Sequence, residues 1–446
     1  VLDQYVKLYE SKTPKSRSLF DQSAKRFPGG VSHNIRYFEP YPFFTQKAHG
    51  KHLWDVDNNK YTDYWMGHWS LILGHSPKVV VDALKAKVPD GTIFGTANEL
   101  SVRLADFINK IMPRAEMIRF SSTGTEATMY AARLARAFTG KRVIAKIEGG
   151  WHGFNSTFLK SVNFPFEEDE GTGLLEEEQK YVVSLPFNDL DASVKILDSI
   201  NDDLACIIVE PLLGGAGCIP AEKEYLHGLQ EYTRKSSALF VLDEIVTGFR
   251  LSLKGAQEIF SLEPDLFTLG KIVGGGMPIG VLCGRKEIMQ LSDPKREKVQ
   301  RCSIGGGTFS ANPLSMAAGL ATLVHLVGKE AGIYDNINKL GEEAGRSIDK
   351  IMNENGVKVK TTGMGSLFLT HFLTEKVREV KSARDAASCN VDLQKAYHFA
   401  LMAKYGIFFL PHKLGAISVE HDSNDIKELI EASGEISSEM KAKKRL

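Results

Sequence analysis

Residues 204–243 read LACIIVEPLLGGAGCIPAEKEYLHGLQEYTRKSSALFVLD. An apolar run rich in β-branched residues, Leu204 to Glu210, ends in an acid, and a second apolar run, Ala238 to Asp243, ends the same way. Between them lies the amphipathic stretch Tyr225 to Ser236. Short runs this apolar fit strands buried on both faces, and the stretch between them carries a helical period. The alternation continues outward in both directions. Arg142 to Ile147, Tyr181 to Leu185 and Ile279 to Cys283 are further candidate strands. Glu126 to Phe138, Leu190 to Ser199, Pro313 to Leu326 and Asp335 to Met352 are candidate helices. Alternation from about residue 115 to 310 predicts an α/β fold, a mostly parallel sheet sandwiched by helices. In such folds ligands bind beyond the carboxyl ends of the strands.

The flanks differ from this centre. Residues 50–64, GKHLWDVDNNKYTDY, predict a β-hairpin turning at Asp57-Asn58-Asn59. Three segments are expected from the 446 residues: 1–70 as the N-terminal part of a smaller α+β lobe, 71–312 as the large domain, and 313–446 as the C-terminal small domain. Lysine plus arginine and aspartate plus glutamate both number 55, so the chain lacks the basic surplus of a nucleic-acid binder. No run of about 20 apolar residues is present, so no membrane partner is expected. Cys206, Cys218, Cys283, Cys302 and Cys389 form no CxxC pair, which points to free thiols and a cytoplasmic location. The acidic stretch Glu167 to Glu178 lacks periodicity and reads as a solvated loop.

Three local features carry chemistry. Thr123-Gly124-Thr125-Glu126 follows an apolar run and opens an Ala-rich helix with capping-box spacing. It reads either as a well-capped helix or as a phosphate cradle, since a helix N-terminus offers free N–H groups and positive potential. Asp243 closes a buried run, where an acid is expensive unless paired. It reads as a capping or salt-bridged carboxylate, or as an anion holding a cation. Lys271 stands between Gly270 and the Gly274-Gly275-Gly276 run. It is either a surface lysine on a glycine loop or a desolvated amine able to attack a carbonyl. Trp151-His152-Gly153 adds an aromatic that serves as core or as a stacking platform for a flat ring. Walker, G-x-G-x-x-G and H-E-x-x-H motifs are absent, and no metal site is expected.

Taken in order, Gly124-Thr125-Glu126-Ala127, Trp151-His152-Gly153, Asp243 to Arg250 (DEIVTGFR), Thr268-Leu269-Gly270-Lys271 and Gly307 to Pro313 (GTFSANP) resemble the class III, fold type I pyridoxal-phosphate enzymes. Within them the chain is similar to the glutamate-1-semialdehyde 2,1-aminomutase-like branch. The resemblance implies pyridoxal 5'-phosphate as cofactor, with Lys271 as the amine that condenses with its aldehyde and Asp243 as the partner of its ring nitrogen. It implies Thr123, Gly124 and Thr125 at the phosphate, Trp151, His152 and Ile245 around the ring, and Thr308 at the phosphate of a neighbouring subunit, hence a homodimer with shared sites. Arg36, Trp69 and the late pair His412-Lys413 would meet the amino-acid and keto-acid substrates. Trp151 stands where the aminomutases usually carry Tyr, Gly215 where they carry Asn, and Pro411 to Ala416 lacks their late Glu. The expected activity is therefore an aminotransferase acting on an amino acid, including a β-amino or bulky side-chain one. The alternatives are the aminomutase, an amino-acid racemase, and a non-catalytic ligand-binding protein on the same fold.

Overall fold

The computed structural model describes residues 2–444, which divide into two compact units. The first comprises Lys78–Tyr334 and Lys381–Ala386; the second takes the chain before Lys78, Asp335–Val380 and the chain from Ala387 on. The first unit is built on a seven-stranded sheet: β1 (Met117–Ser121), β2 (Val143–Ile147), β3 (Val182–Leu185), β4 (Leu204–Val209), β5 (Leu239–Asp243), β6 (Leu266–Gly270) and β7 (Gly280–Gly284). Their spatial order is β1-β7-β6-β5-β4-β2-β3. Neighbours from β6 to β3 pair in parallel, whereas β7 runs antiparallel to both β6 and β1. All residues of β2, β4, β5, β6 and β7 are buried, which is why they read as continuous apolar runs without alternation.

The helix Gly124–Thr139 covers one face of this sheet. Ala127, Ala131, Leu134 and Ala135 fall on one side of it, at helical spacing, and join a buried cluster with Ile144, Cys206, Ile208, Val241 and Leu282. Small alanines let the helix lie close to the strands. The helix stops at Gly140, which takes φ of 70° and so provides a left-handed cap.

Two boundaries differ from the sequence expectation. The first unit begins at Lys78, and the helix Pro313–Gly328 belongs to it, so its main segment ends at Tyr334 instead of residue 312. That helix is apolar nearly all round and packs on the helices Lys78–Lys87 and Glu99–Ile111 and on the turn after β6. A Cβ on Gly319 would lie 2.3 Å from Val273 O, so the approach needs a glycine. The strand β6, hidden in the sequence beside the Lys271 motif, is the other addition.

In the second unit, the expected hairpin pairs His52–Asp55 with Lys60–Asp63 in the register His52↔Thr62. Buried Asp55 holds its turn by accepting from Asp57 N, Asn59 N, Asn59 Nδ2 and Tyr61 Oη. Strands Val359–Met364, Leu367–Phe372 and Gly415–Ala416 form a further sheet. Among the described residues no helix is long and apolar enough to cross a membrane.

The core of the second unit buries histidines among aromatics. Tyr64 stacks on Phe409 at 4.8 Å, His398 stacks on Phe409 at 5.0 Å, and His421 lies 4.7 Å from Tyr64. Burial pushes His398 and His421 from 6.5 down to about 3. Their folded values lie below the unfolded one, so the unfolded chain binds protons first as pH falls. The stability they contribute is complete above pH 6.5 and is lost progressively toward about 3, at up to about 1.4 kcal/mol per pH unit for each ring. Urea melts are therefore expected to show the denaturation midpoint dropping steadily from pH 7 to pH 5, with a shallower drop in His398→Gln.

Candidate active site

The carboxyl ends of β1, β2, β4, β5 and β6 line one edge of the sheet, and antiparallel β7 brings its first residue, Gly280, to the same edge. Asp243 is the last residue of β5. Its Oδ2 is 2.7 Å from His152 Nδ1, and its Oδ1 accepts from Thr268 Oγ1 at 2.8 Å and from Ile245 N at 3.1 Å. A carboxylate only accepts, so the proton of His152 sits on Nδ1. Burial lowers the pKa of His152 and outweighs the pull of Asp243, so the ring is neutral. The backbone oxygen of His152 is fixed in turn by Thr128 Oγ1 at 2.6 Å.

Lys271 follows β6 directly and opens the turn Lys271–Gly274. Its φ is 48°, in the left-handed region. A non-glycine residue there costs on the order of 1–3 kcal/mol and persists where the surroundings impose it, most often at functional sites. Desolvation lowers the pKa of its amine, against the opposing charges of Asp243 and Glu210. Such a shift favours the uncharged form of the amine, which is the nucleophilic one.

The capping box at Thr123 is present in full. Glu126 N donates to Thr123 Oγ1 at 3.2 Å, and Glu126 Oε2 accepts from Ser122 N at 2.9 Å and Thr123 N at 3.0 Å. The Thr123 side chain is thus engaged in capping. The N–H groups of Gly124 and Thr125 belong to the first helical turn, which has no intrahelical acceptors. The capped-helix reading therefore holds, and with the Thr123 hydroxyl engaged in the cap the donors the motif has to offer an anion are backbone N–H groups. Ile245 packs against the cradle: a Cβ on Gly124 would lie 2.4 Å from Ile245 Cδ1. Trp151, half-buried, presents its ring edge-on to Phe154 at 4.7 Å.

Thr308 lies in an exposed loop of the same unit. A cavity of 450 Å³ is lined by Thr308 together with Ile93, Phe94, Asn98 and Asn312. The loop is latched by Asn98 Nδ2 to Ala311 O at 3.0 Å and Asn312 Nδ2 to Thr92 O at 2.8 Å.

The four residues expected to meet substrate are all in the second unit. Arg36 is exposed on the turn Asn34–Arg36 and donates to Ser32 Oγ at 3.1 Å. Trp69 is buried, not open to solvent; its Nε1 donates to Leu414 O at 2.9 Å, so the ring fixes the segment that carries Lys413. His412 pairs through Nδ1 with Gln394 Oε1, and burial lowers its pKa to about 3. A neutral His412 offers a ligand hydrogen bonds and no charge, and burial shifts the pKa of its neighbour Lys413 down as well.

Three residues of the edge were given no role in the sequence reading: Thr268, which bonds Asp243; Glu210, buried just after β4; and Lys146, buried on β2 with its amine 2.6 Å from Lys160 O. Glu210 carries the same signal that marked Asp243, an acid closing an apolar run.

A family model described as aminotransferase class-III matches residues 36–389. The chain is 37% identical over 423 residues to a glutamate-1-semialdehyde 2,1-aminomutase of Methanosarcina acetivorans, covering 94% of this chain and 97% of that one. Among solved structures, a transaminase with PLP bound superposes with a TM-score of 0.89 at 31% identity, over 97% of this chain and 99% of that one. A β-phenylalanine aminotransferase from Variovorax paradoxus superposes with a TM-score of 0.88 at 29% identity, over 99% of both chains.

Gly280 tests how tightly the edge is built. A Cβ there would lie 2.0 Å from Thr123 O, a backbone atom of the cradle, whereas one on Gly305 would meet nothing within 4 Å. Gly280→Ala is expected to destabilise the protein by about 1–3 kcal/mol, read as a lowered thermal midpoint, while Gly305→Ala leaves the midpoint nearly unchanged.

Proposed function

The chain belongs to the class-III aminotransferase family, and from that premise we propose that it is a pyridoxal 5'-phosphate-dependent aminotransferase moving an amino group between an amino acid and a keto acid. The observation that carries this reading is a desolvated, conformationally constrained Lys271 at the same sheet edge as Asp243, whose carboxylate is fixed by His152, Thr268 and the Ile245 N–H. The residues present fit the cofactor. A flat pyridinium needs a fixed anion, a phosphate needs a helix N-terminus, and an aldehyde needs a neutral amine; Asp243, Gly124 with Thr125, and Lys271 offer these at one sheet edge.

When bound, the cofactor supplies an aldehyde and a protonated ring that stores the electron pair released from the substrate carbon. The chain's residues do the rest. Lys271 Nζ would carry the proton removed from the substrate carbon. Asp243 would pair with the ring nitrogen, and the neutral His152 fixes the carboxylate without cancelling its charge. Trp151 and Ile245 would hold the ring, and the N–H groups of Gly124 and Thr125 would hold the phosphate.

Arg36 is the residue for a substrate carboxylate, its guanidinium being suited to bidentate pairing. Lys413 is a second cation for the same purpose, and Trp69 sets the position of its segment. A β-amino or bulky side-chain substrate is favoured by the similarity to the β-phenylalanine aminotransferase. The working unit is a homodimer in which Thr308 reaches the partner's phosphate; exposed Ile93, Phe94 and Phe309 near this loop support that assignment. The second reading, a glutamate-1-semialdehyde aminomutase, is favoured by the name of the curated relatives.

Two experiments test this. Lys271→Ala is expected to abolish turnover and the borohydride-fixable visible band, and Asp243→Ala to lower the rate by on the order of 10²–10³-fold, the effect of removing one partner of a buried pair worth about 3–5 kcal/mol. Wild-type turnover in Lys271→Ala would exclude it as the nucleophile. A screen of amino donors with pyruvate or 2-oxoglutarate separates the two activities. Nitrogen transfer to a keto acid is expected; turnover of glutamate-1-semialdehyde alone would establish the aminomutase instead.

A further inference from the structure

Strands β2, β4, β5 and β6 are successive neighbours, and each carries one ionisable group toward its carboxyl end: Lys146, Glu210, Asp243 and Lys271 in that spatial order. Two acids therefore lie between two lysines across the floor of the site. Asp243 and Lys271 have roles in the proposed reaction. Glu210 has none, yet it is among the most completely enclosed carboxyl groups of the chain, 4% exposed.

Its contacts define what it can do. Glu210 Oε1 accepts from Trp151 N at 2.8 Å, and Oε2 accepts from Gly214 N at 3.2 Å. One carboxyl group thus ties the loop after β2, which carries the stacking tryptophan, to the glycine turn after β4. The two segments are close: a Cβ on Gly215 would lie 3.7 Å from Trp151 Cβ. No side chain could take both N–H groups in this way unless it carried two acceptor oxygens on one carbon.

The charged groups facing Glu210 come from every neighbouring strand. Asp243 on β5 opposes its ionisation, while Lys271 after β6 favours it; Lys146 on β2 is the third, with Glu210 the leading charge acting on that amine. His152, neutral beside Asp243, adds no charge. Burial, reinforced by Asp243, pushes the Glu210 carboxyl up to about 8, and burial lowers Lys146 to about 7. Glu210 and Lys271 act on each other's protonation through their opposite charges.

We propose that Glu210 is a positioning residue of this site: its carboxyl group fixes the Trp151 backbone against the glycine turn, and its ionisation sets the pH at which Lys271 releases its proton. The proposal rests on the reading of Lys271 as the cofactor-bound lysine. An ionised Glu210 holds the proton on the lysine nitrogen, so removing that charge lets the proton leave at lower pH.

The test is a pH titration of the visible absorption of the holoenzyme, wild type against Glu210→Gln, with visible circular dichroism as a second readout of ring seating. Loss of an adjacent negative charge is expected to move the titration midpoint down by about 1–3 pH units and to weaken the dichroic band. An unmoved midpoint overturns the proposal. If Glu210→Gln is insoluble, Glu210→Asp decides, because it keeps the charge and shortens the reach to Trp151 N and Gly214 N: a weakened dichroic band supports the proposal, and a wild-type band with a wild-type midpoint overturns it. Absence of a visible band in the wild-type enzyme with pyridoxal phosphate would instead be a failure of the cofactor reading itself.

Discussion

Everything in the first unit is arranged around the expense of holding a carboxylate out of water. Asp243 ends a strand with neighbours on both sides, so solvent cannot reach it, and three groups donate to it in place of water. Each donor comes from a different place in the fold. Thr268 is supplied by the adjacent parallel strand, in register with Asp243. His152 comes from the loop after β2, and the Ile245 N–H comes from the residue two positions on. The strand order is thereby coupled to the chemistry: shift one strand by a residue and Thr268 turns to the other face.

The same low dielectric shapes the rest of the edge. It lowers the pKa of Lys271 and Lys146 and raises that of Glu210, because burial disfavours the charged form of each. Lys271 at this edge also holds a left-handed backbone, with φ of 48°. The close approach of Gly280 to Thr123 O keeps the cradle in place without a side chain between them.

In the second unit the comparable strain lies at Met66, Gly67, His68 and Trp69, with φ of 44°, 58°, 62° and 66°. A left-handed turn disfavours each L-residue by about 1–2 kcal/mol. It is held by burial of Met66 and Trp69 and by the bond from Trp69 to Leu414. His398, His412 and His421 are all kept neutral by burial, so none of these three rings brings a positive charge to a ligand.

Much of this was legible in the sequence, because period and punctuation are local. The runs ending at Ile147, Leu185, Glu210 and Asp243 are strands for the reason they looked like strands, and Thr123 caps a helix because its side chain and that of Glu126 reach each other within one turn. Asp243 and Lys271 stood out because a charge in an apolar or glycine setting is anomalous in any fold. What the sequence could not decide is which distant residues meet. That Thr268 and His152 serve Asp243, that Glu210 bridges Trp151 and Gly214, and that Pro313–Gly328 belongs to the sheet-bearing unit all follow from strand order and packing. Even the neutrality of His412 is a tertiary result, since an imidazole has the same composition wherever it stands and only its burial determines whether it carries a proton.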